Sequence, residues 1–238
     1  MVKFLYVTDI HGDIKTYEKI FELGSEKNID FLVFGGDITS GVTPKSQRFF
    51  LEFYLLRRIK EFRKNHRKKQ IFIMMGNDDF SSNFYVLKKA SKKGLIAILH
   101  KMFYRVENLT IAGYPYINPT PFFLKDWEKE EKEIEKDLEK LSCFCEMPKT
   151  IFVFHAPPYG TKLDMLYNRE HKGSKAIRKF IEKYQPLLTL HGHIHESREF
   201  SGFINERIGK TLCVNPGNAK IIIVNLENME IEEVDNSH

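Results

Sequence analysis

Phe4-Leu5-Tyr6-Val7-Thr8-Asp9-Ile10-His11-Gly12-Asp13 is the stretch whose reading decides the fold. A short run of bulky apolar residues ends abruptly in polar residues and a glycine. This reads as a strand buried on both faces that opens at its carboxyl end into a polar loop. The pattern returns in Phe31-Leu32-Val33-Phe34-Gly35-Gly36-Asp37 and again in Ile71-Phe72-Ile73-Met74-Met75-Gly76-Asn77-Asp78-Asp79.

Between these runs the apolar period changes to that of a helix. Ile14, Tyr17 and Phe21 mark one amphipathic helix behind the cap Asp13, Phe49, Phe53, Leu56, Ile59 and Phe62 mark a second, and a third follows Ser81 and Ser82. Buried strands alternating with helices predict βαβ units on a largely parallel sheet. The second half returns to strands at Ile151 to Phe154, Leu187 to Leu190, Thr211 to Val214 and Ile221 to Val224, with one helix near Ser174 to Tyr184. Strands this apolar need cover on both faces, which predicts two sheet layers with helices outside.

With 238 residues, 42% of them hydrophobic, the chain is expected to form a single domain over 1–238. No apolar stretch approaches the roughly 18 residues of a membrane span, and the start runs into Asp9 instead of a signal-peptide pattern. The expectation is a soluble, cytoplasmic protein with no membrane partner. The three cysteines, with Cys143 and Cys145 one residue apart, give no disulfide framework or zinc clamp. Abundant Lys and Glu, with Gln only at 47, 70 and 185, lean toward a thermophile.

The net charge is +5, and the densest basic stretch runs from Arg57 to Lys69. Its cations fall on the face opposite the apolar stripe and at the helix end, so a solvated helix is favoured over a nucleic-acid surface. Lys125 to Leu141 is nearly all charged, yet Trp127, Ile134, Leu138 and Leu141 keep a helical stripe, with Glu128 and Lys132 spaced to pair. Gly113 to Phe122 before it is too rich in proline for a helix and reads as an ordered loop. Tyr114, Tyr116 and Phe122 from this region, and Tyr159, either stack a nucleobase or pack on the core.

The chemistry lies where the strands end. Asp9 and His11, Asp37, Asn77 with Asp78 and Asp79, His155, and His191 with His193 and His195 each follow a strand. Ligand crevices of open α/β sheets form at these carboxyl ends, so the segments converge. Carboxylates, imidazoles and an amide oxygen suit Mn, Fe, Zn or Ni. The donors exceed what one tetrahedral zinc requires, whereas two ions about 3.5 to 4 Å apart can share a carboxylate. Glycines at 12, 35, 36, 76 and 192 give these loops their tight turns.

In this order, Asp9-Ile10-His11, Gly36-Asp37, Gly76-Asn77-Asp78-Asp79, His155 and Gly192-His193-Ile194-His195 resemble the calcineurin-like metallophosphoesterase superfamily over nearly the whole chain. The resemblance implies an α/β fold, a four-layer α/β/β/α sandwich of two mixed sheets. It implies that Asp9, His11 and His195 bind one divalent metal, that Asn77, His155 and His193 bind the other, and that Asp37 bridges them. It further implies hydrolysis of a small phosphorylated substrate, nucleotide-derived on one reading, by attack of a metal-bridging hydroxide, with manganese foremost among the candidate ions.

One position departs from the pattern. Asp78 stands where the superfamily often has a His that contacts the phosphate or protonates the leaving group, so Asp78 is a candidate for catalysis and substrate binding alongside Asn77. His155-Ala-Pro-Pro-Tyr159 through His171-Lys-Gly-Ser174 resembles small archaeal and bacterial members, and makes His171 a catalytic candidate and Arg169 and His171 phosphate contacts. Asp13 and Asn215 read as supporting or turn residues, His191 as a supporting or core residue, and His66 and His100 as surface residues. The Asp-Arg-Gly continuation of protein Ser/Thr phosphatases is missing after Asp37. A phosphodiesterase is favoured over a phosphomonoesterase or nucleotidase, and over a non-catalytic scaffold on the same fold.

Overall fold

In the computed structural model, which describes residues 2–26, 28–123 and 126–234, the first apolar run forms β1 (Lys3–Val7) and the helix capped by Asp13 forms α1 (Ile14–Gly24). The chain continues through β2 (Phe31–Gly35), α2 (Pro44–Phe50), a π-helical turn (Leu51–Leu55), α3 (Leu56–Asn65), β3 (Gln70–Met74), α4 (Phe84–Lys92) and β4 (Ala97–Ile98). Next come β5 (Met102–Val106), β6 (Leu109–Tyr114), α5 (Glu131–Ser142), β7 (Thr150–Phe154), α6 (Lys175–Tyr184) and β8 (Leu188–Leu190). The order ends with α7 (Ser197–Ser201), β9 (Asn205–Ile208), β10 (Thr211–Val214), β11 (Ile222–Asn225) and β12 (Glu230–Glu233).

These strands make two six-stranded sheets, ordered β12-β11-β1-β2-β3-β4 and β5-β6-β7-β8-β10-β9. Strands β1 to β4 run parallel, as do β6, β7, β8 and β10, while antiparallel strands finish both edges of the second sheet and the β11–β12 edge of the first. Side chains alternate across each strand, and this alternation builds the layers. Phe4, Tyr6, Val33 and Phe72 pack between the sheets on Ile151, Val153 and Leu190. Their neighbours Leu5, Val7, Leu32 and Phe34 point the other way, onto Tyr17 and Phe21 of α1 and Leu87 of α4. On the far side Phe152 and Phe154 pack on Ile134, Leu138, Ile177 and Phe180 of α5 and α6. The result is the α/β/β/α sandwich, held by apolar burial worth about 1.5–3 kcal/mol per large side chain.

Several expectations need correction. The helix expected over Lys125 to Leu141 begins only at Glu131, with Lys125 outside the described residues. Trp127 precedes it and donates its indole N–H to the Asp79 carbonyl (2.6 Å), while Glu128 turns to the Thr120 backbone (3.1 Å) instead of Lys132. The π turn shifts the helical register, so Phe50, Leu51 and Leu55 are buried while Phe49 and Phe53 are exposed and stack on each other. His100 is no surface residue: its Nε2 accepts the Met75 N–H (2.9 Å) and its ring stacks on Phe84. Tyr114 is fully buried in the core and donates to Asp137 (3.2 Å). The cysteines are free. No helix among the described residues is long and apolar enough to cross a membrane.

Candidate metal centre

Each polar cluster leaves the carboxyl end of a parallel strand: Asp9 and His11 after β1, Asp37 after β2, Asn77 after β3, His155 after β7, and His193 and His195 after β8. The two sheets thereby supply opposite walls of one cleft. Backbone bonds tie the loops together: the Asp9 N–H donates to Gly36 O (3.0 Å), His11 N–H to Asp37 O (2.8 Å) and Gly192 N–H to His155 O (3.0 Å). Asp9 accepts the His193 N–H (3.1 Å), and Asp37 Oδ1 accepts the Asp78 N–H (2.8 Å).

The inner donor atoms meet closely. His155 Nε2 lies 3.2 Å from Asp37 Oδ2 and 3.1 Å from Asn77 Oδ1, while its Nδ1 faces Gly35 O at 3.0 Å. Asp9, Asp37 and His155 present ligand atoms all within 4.8 Å of one another, and so do His11, Asp37 and Asp78. The His155 and His193 rings sit 5.6 Å apart and those of His11 and His195 6.2 Å apart. This donor set fits divalent metal ions, because lone pairs on buried oxygens and nitrogens converge where only a proton or a cation relieves their repulsion.

The backbone is bent to make this convergence. Asp9, His11, Asp37 and His193 all adopt positive φ, at 51°, 47°, 49° and 64°. Such conformations cost free energy in residues with a Cβ and persist where the surroundings enforce them, which is common at functional sites. Gly76 shows how tight the cradle is: a Cβ there would lie 2.3 Å from Asp37 Oδ1 and 2.4 Å from His155 Nε2.

Charge is partitioned within the cluster. Burial opposes ionisation of Asp37, but adjacent His155 and then His11 hold its carboxyl below the usual range. Burial likewise opposes the charge on His155, and Asp37 followed by Asp9 overcomes it and holds the imidazole well above its ordinary value. Burial raises Asp9, and it pushes His193 down to about 3 with help from His155.

Around the donors lies a frame. Asp79 is buried and accepts backbone N–H groups from Ile38 (3.0 Å), Thr39 (2.8 Å) and Gly76 (2.9 Å), so it staples the Asp37 loop to the Asn77 loop. Gln47 does similar work: its Nε2 donates to the Asp78 carbonyl (2.6 Å) and its Oε1 accepts the Phe80 N–H (2.8 Å). Sequence reasoning missed Gln47; the signal was an amide at a core position of a helix in a Gln-poor chain. Asn215 supports the opposite wall by donating to Leu163 O (3.1 Å) and Ile194 O (3.2 Å). His191 is a core residue between Ala156 O (2.9 Å) and Thr189 Oγ1 (2.8 Å).

Asp78 is exposed at the mouth. Its Oδ2 lies 3.8 Å from His11 Nδ1, and its Oδ1 accepts from the Asn77 amide (2.7 Å). Burial, then Asp37, raises its pKa. His171 is not brought to the donors: its Nδ1 pairs at 2.7 Å with Asp164, a buried carboxylate that organises the loop through the Thr161 (2.8 Å) and Gly173 (2.9 Å) N–H groups. Arg169 lies exposed in that loop. Neither residue lines the cavity of about 420 Å³ above the donors, which is bounded by Asp37, Asn77, Asp78, Phe122, His193 and His195.

A doubly covered pair of sheets with oxygen and nitrogen donors at facing strand ends defines a metallohydrolase architecture. The sequence profile of the calcineurin-like phosphoesterases matches residues 2–197, and the chain belongs to that family. It is therefore a metal-dependent phosphohydrolase. One solved structure is similar over 99% of both chains with TM-score 0.75 at 19% identity. TT1561 of Thermus thermophilus is similar over 99% of both chains with TM-score 0.73 at 18% identity. A structure described as that of a novel archaeal phosphodiesterase is similar over 98% of this chain and 99% of its own, with TM-score 0.53 at 15% identity. Among curated proteins, none matches this sequence.

Proposed function

We propose that this protein is a binuclear phosphodiesterase acting on a small, nucleotide-derived phosphodiester, with manganese as its preferred ion. Asp9, His11 and His195 hold one ion, Asn77, His155 and His193 the other, and Asp37 bridges them. The observation that carries the reading is that His155 Nε2 lies within 3.1–3.2 Å of both Asp37 Oδ2 and Asn77 Oδ1, so that three potential ligand atoms from three different loops meet in one place. When bound, the ions supply Lewis acidity and an activated water.

The chain's own residues do the positioning. Gly35 O fixes the His155 ring through Nδ1, leaving Nε2 free to coordinate, as the backbone partner of a metal-binding His does generally. Asp78 orients the Asn77 amide by accepting from Nδ2, which turns Oδ1 inward. Close cations favour the carboxylate form of Asp78, so it does not serve as the proton donor. A site without a strong acid beside the leaving group suits esters whose leaving group departs unaided, such as activated aryl esters.

A panel of aryl phosphodiesters, aryl monoesters, cyclic nucleotides and nucleotides, run with Mn, Ni, Fe and Zn and with Asp37→Ala as the blank, tests the reading. Metal-dependent turnover of diesters above monoesters is expected, with two ions bound per chain. Absence of any Asp37-dependent hydrolysis, or of bound metal, would point instead to a scaffold on the same fold.

A further inference from the structure

Beside the donors lies a second, larger cavity of about 750 Å³, which shares Thr120, Phe122, His193 and His195 with the cavity over the metal centre. Its outer walls are aromatic. Phe122, Tyr167 and Phe200 leave 65%, 72% and 49% of their surface in water, and the Tyr167 and Phe200 rings meet edge to face with centroids 6.4 Å apart. They come from loops distant in sequence, the Pro-rich segment, the loop after Leu163 and helix α7, so the fold gathers them at one place. Large aromatic rings held in water around a pocket that opens onto a reaction centre mark a binding surface.

The polar part of the lining decides what enters. Glu196 and Glu199 add carboxylates to the wall, and the lining cation Lys172 is already paired with Glu170 at 2.8 Å. A second phosphate or any other anionic tail would be repelled there. A saturated chain would fill the aromatic part but desolvate both carboxylates without offering a donor. A neutral, planar, donor-bearing group satisfies both parts, stacking on the rings and donating to the carboxylates.

Resting on the phosphoesterase reading above, we propose that this cavity is the specificity site for the organic group of the substrate, and that the group is a planar aromatic of the nucleobase class. Tyr167 and Phe200 supply the stacking surface, and Glu199 accepts from exocyclic or ring N–H groups. Stacking of a base on an aromatic side chain is typically strong enough for its removal to cost about tenfold or more in affinity.

The test is calorimetric titration of the manganese-loaded protein with four non-hydrolysable phosphonates bearing methyl, decyl, phenyl and adenine substituents. The adenine and phenyl compounds should bind at least about tenfold more tightly than methylphosphonate, adenine the better of the two. Tyr167→Ala and Phe200→Ala, both at solvent-exposed positions, should erase that preference while leaving methylphosphonate affinity unchanged. Equal affinity for all four, tighter binding of decyl than phenyl, or retention of the preference in both variants would overturn the proposal. Failure to bind any of the four, methylphosphonate included, would instead overturn the phosphoesterase reading and this proposal with it.

Discussion

Asp79 receives both the backbone N–H (2.8 Å) and the hydroxyl of Thr39, a residue forty positions earlier, and the same carboxylate also receives the Ile38 and Gly76 N–H groups. Two ligand loops from neighbouring strands thus hang on one buried anion. Removing it strands several donors without water to replace it, each such loss costing about 1–3 kcal/mol. Asp79→Ala should therefore destabilise the protein by about 3 kcal/mol or more, seen as a lower urea midpoint. Manganese affinity should fall too, since Asp37 and Asn77 lose their common anchor. A variant with wild-type stability would show that the loops are held elsewhere.

Gly76→Ala should spare the fold and empty the site. Its new Cβ would overlap Asp37 Oδ1 at 2.3 Å and His155 Nε2 at 2.4 Å, and both partners are buried against strand ends that give little. Elemental analysis after manganese loading should find the bound metal reduced at least about tenfold while the circular dichroism spectrum is retained. Full metal occupancy would mean that the cradle relaxes more than the packing suggests.

Asp78 separates a proton donor from an orienting group. Asp78→Asn keeps an oxygen acceptor for the Asn77 amide, so turnover of an activated aryl phosphodiester should change by less than about threefold. Asp78→Ala removes the acceptor, frees Asn77, and should weaken metal binding more than Asp78→Asn does. A hundredfold loss of turnover in Asp78→Asn would make the carboxyl a general acid after all.

The parts of the molecule legible in the sequence are those governed by local rules. Buried parallel strands such as Phe31 to Phe34 are unbroken apolar runs, and their polar ends announce the crevice. Strands apolar on both faces, with helices between them, call for two sheet layers covered by helices, and the family resemblance implied the four-layer sandwich itself. Edge strands escape this reading because water covers one face: β9 reads Asn-Glu-Arg-Ile and β12 Glu-Ile-Glu-Glu, neither of them an apolar run. The π turn is set by packing around Leu51 and Leu55, not by propensity, so Phe49 and Phe53 looked like core. The frame residue Gln47, the stacked His100 and the aromatic cavity are tertiary facts, each made by residues that meet only after folding.

His100 gives the protein an acid-sensitive joint. Its Nε2 accepts the N–H of Met75, the residue just before Gly76, and burial together with Lys88 lowers its pKa from 6.5 to about 3. Between those values the unfolded chain binds a proton that the folded protein refuses. Its stabilising contribution is complete above pH 6.5 and is lost as pH falls toward 3, at up to about 1.4 kcal/mol per pH unit. His100→Gln keeps an acceptor for Met75 but does not titrate. Its melting temperature should fall less steeply than wild type from pH 6.5 to pH 4, with His191 supplying part of the remaining slope. Identical acid limbs would contradict this.

The strongest pH signature belongs to metal loading itself. His155 Nδ1 faces the Gly35 carbonyl and Nε2 faces Asp37 and Asn77 oxygens, so without metal every partner of the ring is an acceptor and both nitrogens must carry protons. Its pKa is accordingly held above the ordinary 6.5, chiefly by Asp37 acting against burial. A metal ion at Nε2 must displace that proton. An ordinary imidazole is already neutral at pH 8, so proton release at that pH isolates His155 from the unshifted range. Titrating manganese at pH 8 in buffers of different ionisation enthalpy should reveal release of about one proton per chain. Asp37→Ala removes the main support of the imidazolium and should abolish that release. Heats independent of buffer at pH 8 would mean that His155 enters the apo site neutral, and that the inner donors are arranged around something other than a cation.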